Sequence, residues 1–504
     1  MYKLGIDVGG TNIDFAVVDQ HDRLLYSHKI LAQGDLHRAI AKGLSELKQS
    51  KGFDLSCTEA IHLGTTLAIN SLLELKSLHK VGLLRLASHA PDFPPAYLWP
   101  KTHRDSILVG HCTVAGGREY DNRSVKALNN LELINAANTL IDMGAESLAI
   151  VSVFSPLYAE DELSAANLIR NQISSTIPLS LSHQLGGLGF IERENSTLLN
   201  AALKKVLRES FKSLSFALKE NGFKGECFIT RNNGTLFSLA EAIEFPVMTI
   251  ASGPSNSLIG ASKLSQLNDA VIVDIGGTST DIGIIENGFP LYSLKGAKVA
   301  GIPCQLLAPD IRALSMGGGS IIRSNNHSYS IGPDSLGAEL FTKCKTTGGS
   351  YMTLYDVGQS LKAANNKEAE AIMIYFLQQI KTELISLIPD PDSRPILLVG
   401  GGSENIPDSF LASNFLRPPH YQIANAYGAA LSEVAGQVDC IVQFQEDREK
   451  QIKLLEEKAI ALAIEKGATA GSIRIIEKKI LPLHYMQEPR SRVLITAAGR
   501  MRSR

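Results

Sequence analysis

The chain has 504 residues, of which 44% are hydrophobic, and carries a formal net charge of −2 at pH 7. This length predicts two or three domains, each with enough apolar residues for a buried core. Such a charge is not typical of nucleic-acid-binding proteins, which have a basic surface. The six cysteines are far apart, so structural zinc and iron–sulfur clusters are not expected. No apolar run approaches the roughly 20 residues that span a bilayer, and we expect a cytoplasmic protein without membrane partners.

The first predicted element is a β-hairpin that turns on two adjacent glycines. One apolar strand enters the turn, a second leaves it, and between them stand Asp7, Gly9, Gly10, Thr11 and Asn12. Adjacent glycines let backbone N–H groups approach phosphate oxygens, and the Thr hydroxyl adds a donor. An Asp at the end of the strand can hold Mg²⁺ through water. Taken alone, the same pattern also fits an ordinary glycine turn.

A strand at 60–63 is predicted next, and it runs into a polar turn before a helix at 67–75. The polar residues of this region are Thr65, Thr66 and Asn70. They are candidates for contacting a substrate, although Thr65 and Thr66 could equally cap the helix and Asn70 could satisfy a buried backbone group. Continuous apolar runs at 81–84 and 147–153 predict buried parallel strands flanked by helices.

A long amphipathic helix is predicted over 193–220, and we interpret it as the crossing between two lobes. The hairpin pattern then recurs, displaced by 267 positions, with Asp274, Gly276, Gly277, Thr278 and Ser279 at the turn. Two such hairpins can hold a polyphosphate from opposite sides. The duplication therefore predicts ATP binding in a cleft between the lobes.

A third glycine turn, Gly400, Gly401 and Gly402, follows an apolar strand at 396–399 and precedes a helix at 424–431. Glycines there would let the backbone lie flat against an adenine ring. A tight strand-to-helix turn without a ligand is the alternative. The triple at 317–319 is a rival for the same role, and we prefer the later one because a clear strand leads into it.

The pattern divides the chain into three segments. Residues 1–190 are predicted to form the first lobe and residues 191–440 the second. Residues 441–504 are predicted to form a small α+β appendage, with a helix at 446–465 and strands at 473–480 and 492–496.

Several blocks of the chain resemble one family in particular, the hydantoinase A / 5-oxoprolinase (N-methylhydantoinase A-like) family, in a shorter branch. They are residues 64–74 (GTTLAINSLLE), 191–197 (IERENST), 252–254 (SGP), 274–281 (DIGGTSTD), 317–320 (GGGS) and 332–338 (GPDSLGA). The chain differs from the longer relatives at Tyr355-Asp356-Val357 and at Asn232-Asn233-Gly234-Thr235. The resemblance implies an α/β fold of duplicated ribonuclease H-like lobes, as in actin-like ATPases and sugar kinases, with the appendage added.

The resemblance also implies an activity. ATP would phosphorylate the carbonyl oxygen of a lactam or imide, which makes the ring carbon electrophilic enough for water to open the C–N bond. Asp7 and Asp274 would hold Mg²⁺ and act in catalysis together with Thr65 and Asn70. The candidates for contacting the substrate are Thr66, Ser252, Gly253 and Asp310, although Ser252 could equally be a helix N-cap. A separate hydrolytic subunit, similar to hydantoinase B, is the implied protein partner.

Two other classes of function fit the same fold. A small-molecule kinase would use the same phosphate turns but needs a carboxylate base near an alcohol, and no Glu-x-Gly-His sugar motif is visible. A non-catalytic switch would bind ATP and change the angle between the lobes. Phosphate release that depends on a substrate separates these classes.

Overall fold

A computed structural model of the chain describes residues 2–32, 36–51, 53–87, 89, 92–293, 296–325, 328–363, 366–388, 390–444, 447–483 and 490–502. Among these residues, no helix combines the length and apolarity needed to cross a bilayer. The α-helices that they form are, in chain order, α1 Leu36–Lys51, α2 Leu67–Glu74, α3 Lys101–Ile107, α4 Asn130–Asp142, α5 Glu160–Gln172, α6 Phe190–Glu220, α7 Leu239–Glu244, α8 Ser252–Ser265, α9 Leu340–Lys343, α10 Leu354–Ala363, α11 Lys367–Leu387, α12 Ala424–Leu431 and α13 Arg448–Glu465.

The strands that they form are, in the same order, β1 Tyr2–Val8, β2 Asn12–Val18, β3 Leu24–Leu31, β4 Thr58–Thr65, β5 Val81–Leu86, β6 Leu108–Val114, β7 Ser147–Ser152, β8 Leu179–Leu181, β9 Glu226–Thr230, β10 Leu236–Ser238, β11 Ala270–Ile275, β12 Thr280–Glu286, β13 Phe289–Pro290, β14 Ala297–Val299, β15 Ile302–Cys304, β16 Arg312–Leu314, β17 Ser320–Asn325, β18 Ser328–Ser335, β19 Ile396–Val399, β20 Phe415–Leu416, β21 Val434–Val442, β22 Arg474–Leu483 and β23 Arg490–Gly499.

The largest sheet has nine strands in the order β22-β23-β21-β10-β9-β4-β1-β2-β3. The first hairpin, β1 and β2, lies near one edge, and β4 and β9 extend the sheet from β1 in parallel. The C-terminal strands β22 and β23 complete the opposite edge. This sheet takes strands from all three predicted segments, and the boundaries at 190 and 440 stay predictions. Residue 446, the first residue of the predicted C-terminal helix, lies outside the described part of the chain.

The second hairpin, β11 and β12, is the centre of another sheet, in the order β13-β12-β11-β19-β20, with β16 pairing to the other part of β12. Here β11 pairs antiparallel with β12 and parallel with β19. The first hairpin has the same pairing pattern, because β1 pairs antiparallel with β2 and parallel with β4. The two hairpins therefore occupy equivalent places in two sheets.

A separate four-stranded sheet has the order β6-β5-β7-β8 and contains the two strands that the apolar runs predict. Both β5 and β7 are buried along their whole length and pair in parallel, as predicted. The long helix α6 packs beside them. Most of its first half is buried, including the charged residues Arg193, Glu194 and Lys204, and there the Glu194 carboxylate accepts two hydrogen bonds of 2.7 Å from the Arg85 guanidinium.

Two helices, α8 and α12, lie between the two hairpin sheets and contact each other through glycines. A Cβ on Gly260 would overlap the carbonyl oxygen of Ala424, and a Cβ on Gly428 would overlap that of Asn256. On its other side α12 packs against β1, where a Cβ on Gly5 would overlap the Ala426 carbonyl oxygen. Only glycine allows backbones to approach this closely. The two hairpin sheets are thereby held at short range through a pair of helices.

Gly260→Ala tests this contact. The new methyl group has no space against the α12 backbone, and over-packing against backbone costs about 3 kcal/mol or more. We expect the thermal unfolding midpoint to fall by several degrees or the chain not to fold. Gly253→Ala, in the first turn of the same helix, is the matched control, because nothing lies within 4 Å of its added Cβ. Equal midpoints for the two variants would contradict the packing argument.

Candidate functional site

The turns of the two hairpins face each other across the gap between the sheets. Both have the same internal hydrogen bond, from Gly9 N–H to the Asn12 carbonyl at 3.0 Å and from Gly276 N–H to the Ser279 carbonyl at 2.9 Å. A Cβ on Gly277 would lie 3.2 Å from Thr11 Oγ1. The structure thus brings together all eight residues that the sequence proposes for the two phosphate turns, Gly9, Gly10, Thr11, Asn12, Gly276, Gly277, Thr278 and Ser279.

Each hairpin has a carboxylate at the end of its first strand, and each receives a hydrogen bond from the helix pair. The Asn425 amide of α12 donates to Asp7 Oδ2 at 2.8 Å. The Ser257 hydroxyl of α8 donates to Asp274 Oδ2. The side chain of Asp7 is buried, at 4% exposure. The two helices therefore serve the two hairpins in a symmetrical way.

Burial is the main cause that raises the pKa of Asp7 to about 7, and the charges of Asp14 and Asp274 contribute to this rise, whereas the amides of Asn256 and Asn425 oppose it. Asp14, which pairs with Asp7 across the hairpin, also has its pKa raised by burial, opposed by its ion pair with Lys29. A second pair of carboxylates behaves in the same way.

In the second hairpin, burial raises the pKa of Asp274, opposed mainly by the Ser257 hydroxyl. Burial and the charge of Asp274 raise the pKa of its cross-strand neighbour Asp281 to about 7. Four carboxylates thus meet in a region of low solvation where their charges repel. Such a region favours a bound cation.

The donor set fits Mg²⁺ held through water better than a cage of protein ligands. Among the described residues, Asp7 Oδ1 is buried without a hydrogen-bond partner. No group of three or more His, Cys, Asp or Glu in that part of the chain could enclose a metal. Mg²⁺ usually takes one or two carboxylates together with water and phosphate oxygens. The assignment of Asp7 and Asp274 as metal ligands stays a prediction that this geometry fits.

The turn between β4 and α2 lies directly beside the first hairpin. Thr66 Oγ1 donates to the Val8 carbonyl at 3.0 Å, and the Asn70 amide donates to Thr66 Oγ1 at 3.1 Å. Thr65 Oγ1 accepts from Leu67 N–H at 3.1 Å, while Thr66, the N-cap residue of α2, makes no side-chain capping bond. These bonds fix the turn against the end of β1, and they use part of the hydrogen-bonding capacity that a substrate would need.

Gly64 lies immediately before this turn, at a position that has no space for a side chain. A Cβ at this position would overlap Asp7 Oδ1 and the Asn256 amide nitrogen. The missing side chain lets the Asp7 carboxylate lie against β4.

Ser252 is the first residue of α8 and contacts the same turn. Its Oγ accepts from Thr65 N–H at 3.4 Å and donates to the Thr65 carbonyl at 3.3 Å. Gly253 follows, with open space around its Cα. Asp310 forms an ion pair of 2.9 Å with Arg312, just before the strand β16 that pairs with β12. The structure therefore gathers Ser252 and Gly253 at the cleft, while the carboxylate of Asp310 is already paired.

Both glycine triples lie against the second hairpin. In the later one, Gly400 has φ +82° and a Cβ on Gly402 would lie 2.6 Å from the Gly276 carbonyl oxygen. In the earlier one, Gly318 N–H donates to that carbonyl at 2.9 Å and Gly319 N–H donates to the Gly277 carbonyl at 2.7 Å.

The earlier triple thus supports the phosphate turn from behind, and these two N–H groups are already used. Gly401, in the later triple, has nothing within 4 Å of the Cβ position. Its open surface suits the predicted contact with adenine, which stays a prediction for Gly400, Gly401 and Gly402.

Sequence reasoning missed four residues that the structure places at the carboxylates, namely Lys29, Asn256, Ser257 and Asn425. Three of them stand on α8 and α12 among small and apolar residues. A polar side chain in such a setting is the signal that could have marked them, because buried polar groups need partners. Lys29, on an alternating edge strand, gives no such signal.

The raised pKa of Asp7 predicts a pH-dependent stability. The protonated carboxyl stabilises the folded chain fully below its ordinary pKa of 3.8, and this contribution is lost as pH rises through about 7. Asp7→Asn does not titrate. In EDTA, its stability relative to the parent chain should rise between pH 4 and 8 by on the order of 4 kcal/mol.

Thermal unfolding at each pH measures this difference. Asp19→Asn is the control, because hydrogen bonds to Arg23 lower the pKa of Asp19 to about 2, outside the tested range. If the Asp7→Asn and parent profiles ran parallel from pH 4 to 8, the buried-carboxylate account would be wrong.

Comparison with solved structures confirms the predicted fold class. The crystal structure of ATP-dependent caprolactamase from Pseudomonas jessenii superposes with a TM-score of 0.77 at 19% identity, covering 99% of this chain and 88% of that chain. Nucleotide-free acetone carboxylase superposes with a TM-score of 0.73 at 17% identity, covering 100% and 89%. At these identities the likeness concerns the fold.

Sequence comparison finds relatives that are longer than the aligned region. The caprolactamase alpha subunit of Pseudomonas jessenii is 25% identical over 386 residues, which cover 71% of this chain and 54% of the relative. The 5-oxoprolinase of Saccharomyces cerevisiae is 28% identical over 222 residues, covering 43% and 17%. The chain spans about half the length of the first curated relatives that it matches.

Two sequence models of a single family match the chain in succession. The hydantoinase/oxoprolinase N-terminal region matches residues 3–173, which include the first hairpin and the turn after β4. The hydantoinase/oxoprolinase model matches residues 193–363, which include α8 and the second hairpin. Together they cover more than half of the chain, and the chain therefore belongs to the hydantoinase/oxoprolinase family.

Proposed function

We propose that this chain binds Mg²⁺-ATP between its two hairpin turns and uses it to activate a cyclic amide for hydrolysis. The observation that carries the proposal is the arrangement of the turns. Two Asp–x–Gly–Gly–Thr hairpins occupy equivalent places in two sheets, and their tips meet where Thr11 faces Gly277. Phosphates between these tips would have backbone N–H groups and Thr hydroxyls on both sides.

Phosphoryl transfer depends mainly on positioning and on neutralising charge. In this proposal the glycine turns position the β- and γ-phosphates, and Asp7 and Asp274 hold Mg²⁺ through water. The metal supplies charge neutralisation at the phosphate oxygens when bound. Lys29, paired with Asp14, contributes a fixed positive charge near the same carboxylates. The Asn425 and Ser257 side chains orient Asp7 and Asp274 for this role.

The amide carbonyl oxygen then attacks the γ-phosphorus, so that an O–P bond forms and ADP leaves. One water opens the activated C–N bond, which leaves the amine and an acyl phosphate, and a second water releases phosphate. We assign Thr65, Thr66 and Asn70, with Ser252 and Gly253, to the surface that holds the ring. Their mutual contacts beside β1 support this assignment. Asp310 is a weaker candidate because Arg312 already pairs with it.

A cyclic amide is the substrate class that the relatives support. The similar proteins include a caprolactamase alpha subunit and 5-oxoprolinases. The name of the first relative supports a second, hydrolytic subunit as a partner of this chain. The chain matches about half of that relative's length, which is consistent with an activating part of a larger system.

The first prediction from this proposal is that the purified chain binds ATP and requires Mg²⁺ to do so. Isothermal titration at millimolar nucleotide, with Mg²⁺ or with EDTA, measures it. Binding in the presence of Mg²⁺ and a marked weakening in EDTA are expected. No heat of binding at millimolar Mg²⁺-ATP would remove the central claim.

The second prediction concerns Asp274→Asn. This variant should fold normally but lose turnover by on the order of 10²-fold or more, since removing a metal-orienting carboxylate costs several kcal/mol of transition-state stabilisation. Asp269→Asn is the matched control, because Asp269 is exposed just before the same strand. Substrate-stimulated phosphate release compares the two. Unchanged turnover in Asp274→Asn would make Asp274 a structural residue.

The third prediction is that the isolated chain activates a lactam without completing its hydrolysis. A screen of hydantoins, 5-oxoproline and related lactams should identify one that stimulates ADP release. With that compound, ADP should form faster than the ring-opened acid accumulates. Stoichiometric ring opening by this chain alone at ~1 s⁻¹ or above, within the usual enzyme range, would show that no hydrolytic partner is needed.

A further inference from the structure

A cavity of about 570 Å³ lies apart from the hairpin turns, between the start of α6, the loop after β9 and the C-terminal strands. Pockets of this size bind small molecules in other proteins. Its walls come from parts of the chain that are far apart in sequence, including Glu192, Arg231, Gln305 and Arg492. The proposed function assigns no role to any of them.

Most charged side chains in the cavity wall are already neutralised by a neighbour. Lys466 Nζ lies 2.7 Å from Glu241 Oε1. The Arg492 guanidinium binds the Asp439 carboxylate through two hydrogen bonds of 2.6 and 2.8 Å. The charges of these four side chains are therefore already paired. A charged ligand must pair with other groups of the cavity wall.

Arg231 is a cation of the cavity wall that belongs to neither of these two pairs. Its side chain is nine-tenths buried, and its Nε has no hydrogen-bond partner among the described residues. Its Nη2 lies 3.7 Å from Glu241 Oε1, the oxygen that Lys466 already occupies. The guanidinium lies over the ring of Phe237, 4.7 Å from the centroid. A buried guanidinium held in this way offers a planar pair of donors to a carboxylate.

Glu192 is the matching anion. Its carboxylate lines the cavity and takes part in none of the ion pairs between described residues. It lies 3.0 Å from the Cβ position of Gly189, in a stretch with little side-chain cover. In the same stretch, a Cβ on Gly187 would lie 2.9 Å from the guanidinium of Arg492. The glycines thus bring the C-terminal strand close and leave Glu192 accessible from the cavity.

We propose that this cavity binds a small zwitterion, an amino acid whose carboxylate meets Arg231 and whose ammonium meets Glu192. Arg231, whose one ion-pair contact is shared with Lys466, and Glu192, which has no ion pair among the described residues, match such a ligand better than they match an anion or a cation alone. The inference rests on the proposed function for its source of ligand, because opening a cyclic amide leaves a carboxylate and an amine on the same chain.

The position of the cavity supports this link. β1, β4 and β9 are parallel neighbours, so their carboxyl ends share one edge of the sheet. Arg231 follows β9, which is two strands from β1. The end of β9 is therefore about 10 Å from the end of β1. Asn232, next to Arg231, accepts a hydrogen bond of 2.8 Å from Ala251 N–H, immediately before Ser252. Under the proposed function, a ring that is activated at the cleft and opened there together with the partner subunit is released next to this cavity.

Calorimetric titration of the full chain without nucleotide tests the site with three probes of equal length. They are 5-aminopentanoate, pentanoate and pentylamine, which carry both charges, the carboxylate alone and the ammonium alone. The zwitterion should bind at least about tenfold more tightly than either of the others. Equal affinity for pentanoate would make the cavity a simple anion site, and no binding by any probe at millimolar concentration would also overturn the proposal.

Variants assign the two contacts. Glu192→Gln and Arg231→Gln should each weaken 5-aminopentanoate binding about thirtyfold or more, because each leaves one ligand charge without its partner. The matched controls are Glu209→Gln and Arg323→Gln, which should bind 5-aminopentanoate as the parent chain does. Glu209 is exposed on the same helix α6, and Arg323 is exposed on β17. Since Arg231 is buried, circular dichroism checks its folding, and Glu192→Gln decides the matter if Arg231→Gln does not fold. Unchanged affinity in Glu192→Gln would refute the site.

The outcome is separable from that of the proposed function. A chain that shows lactam-stimulated ADP release but binds no zwitterion refutes the cavity assignment alone. A chain that binds 5-aminopentanoate through Glu192 and Arg231 but shows neither ATP binding nor ADP release keeps the zwitterion site and loses the proposed activity.

Discussion

The contact between α8 and α12 is the constraint on which the rest of the structure depends. Gly260 and Gly428 let the two helix backbones touch, and Gly5 lets α12 lie directly on β1. This places the two hairpin sheets close enough for their turns to meet. The same helices deliver Asn425 to Asp7 and Ser257 to Asp274. A side chain at Gly260 or Gly428 would push α8 and α12 apart. The two hairpin sheets would then separate, and the hydrogen bonds from Asn425 to Asp7 and from Ser257 to Asp274 would be lost.

The electrostatics of the cleft follow from that closeness. Four carboxylates are desolvated in one region, and burial is the main cause of each raised pKa. The amides of Asn256 and Asn425 and the Ser257 hydroxyl partly offset this repulsion, and Lys29 forms an ion pair with Asp14. Such a cluster opposes folding unless a cation or protons neutralise it. Proteins keep unfavourable arrangements of this kind mainly at functional sites, which supports the cleft as the candidate functional site.

The parts of this structure that the sequence could predict are local. Paired glycines, a following Thr and flanking apolar strands mark both hairpin turns within about ten residues, and continuous apolar runs mark β5 and β7. The helix contact was not predictable in this way, since Asn425 and Asp7 are 418 positions apart. The triple at 317–319 is similar: its sequence shows a flexible turn, whereas only the fold shows that its N–H groups support the second hairpin. Asp310 and Arg312 are only two positions apart, so their ion pair is a local feature that the sequence could have indicated.

The C-terminal segment shows how a long-range pairing changes the interpretation of a sequence. Residues after 440 look like an independent α+β unit because they contain one charged helix and two strands. In the structure β23 pairs with β21 and β22 pairs with β23, so both strands extend the sheet that contains the first hairpin. Arg492 of β23 then reaches the glycine stretch before α6, across more than 300 positions of sequence. Because one continuous sheet connects the first hairpin turn with the C-terminal strands, a ligand held near Arg492 and a nucleotide held near Gly9 would contact the same sheet.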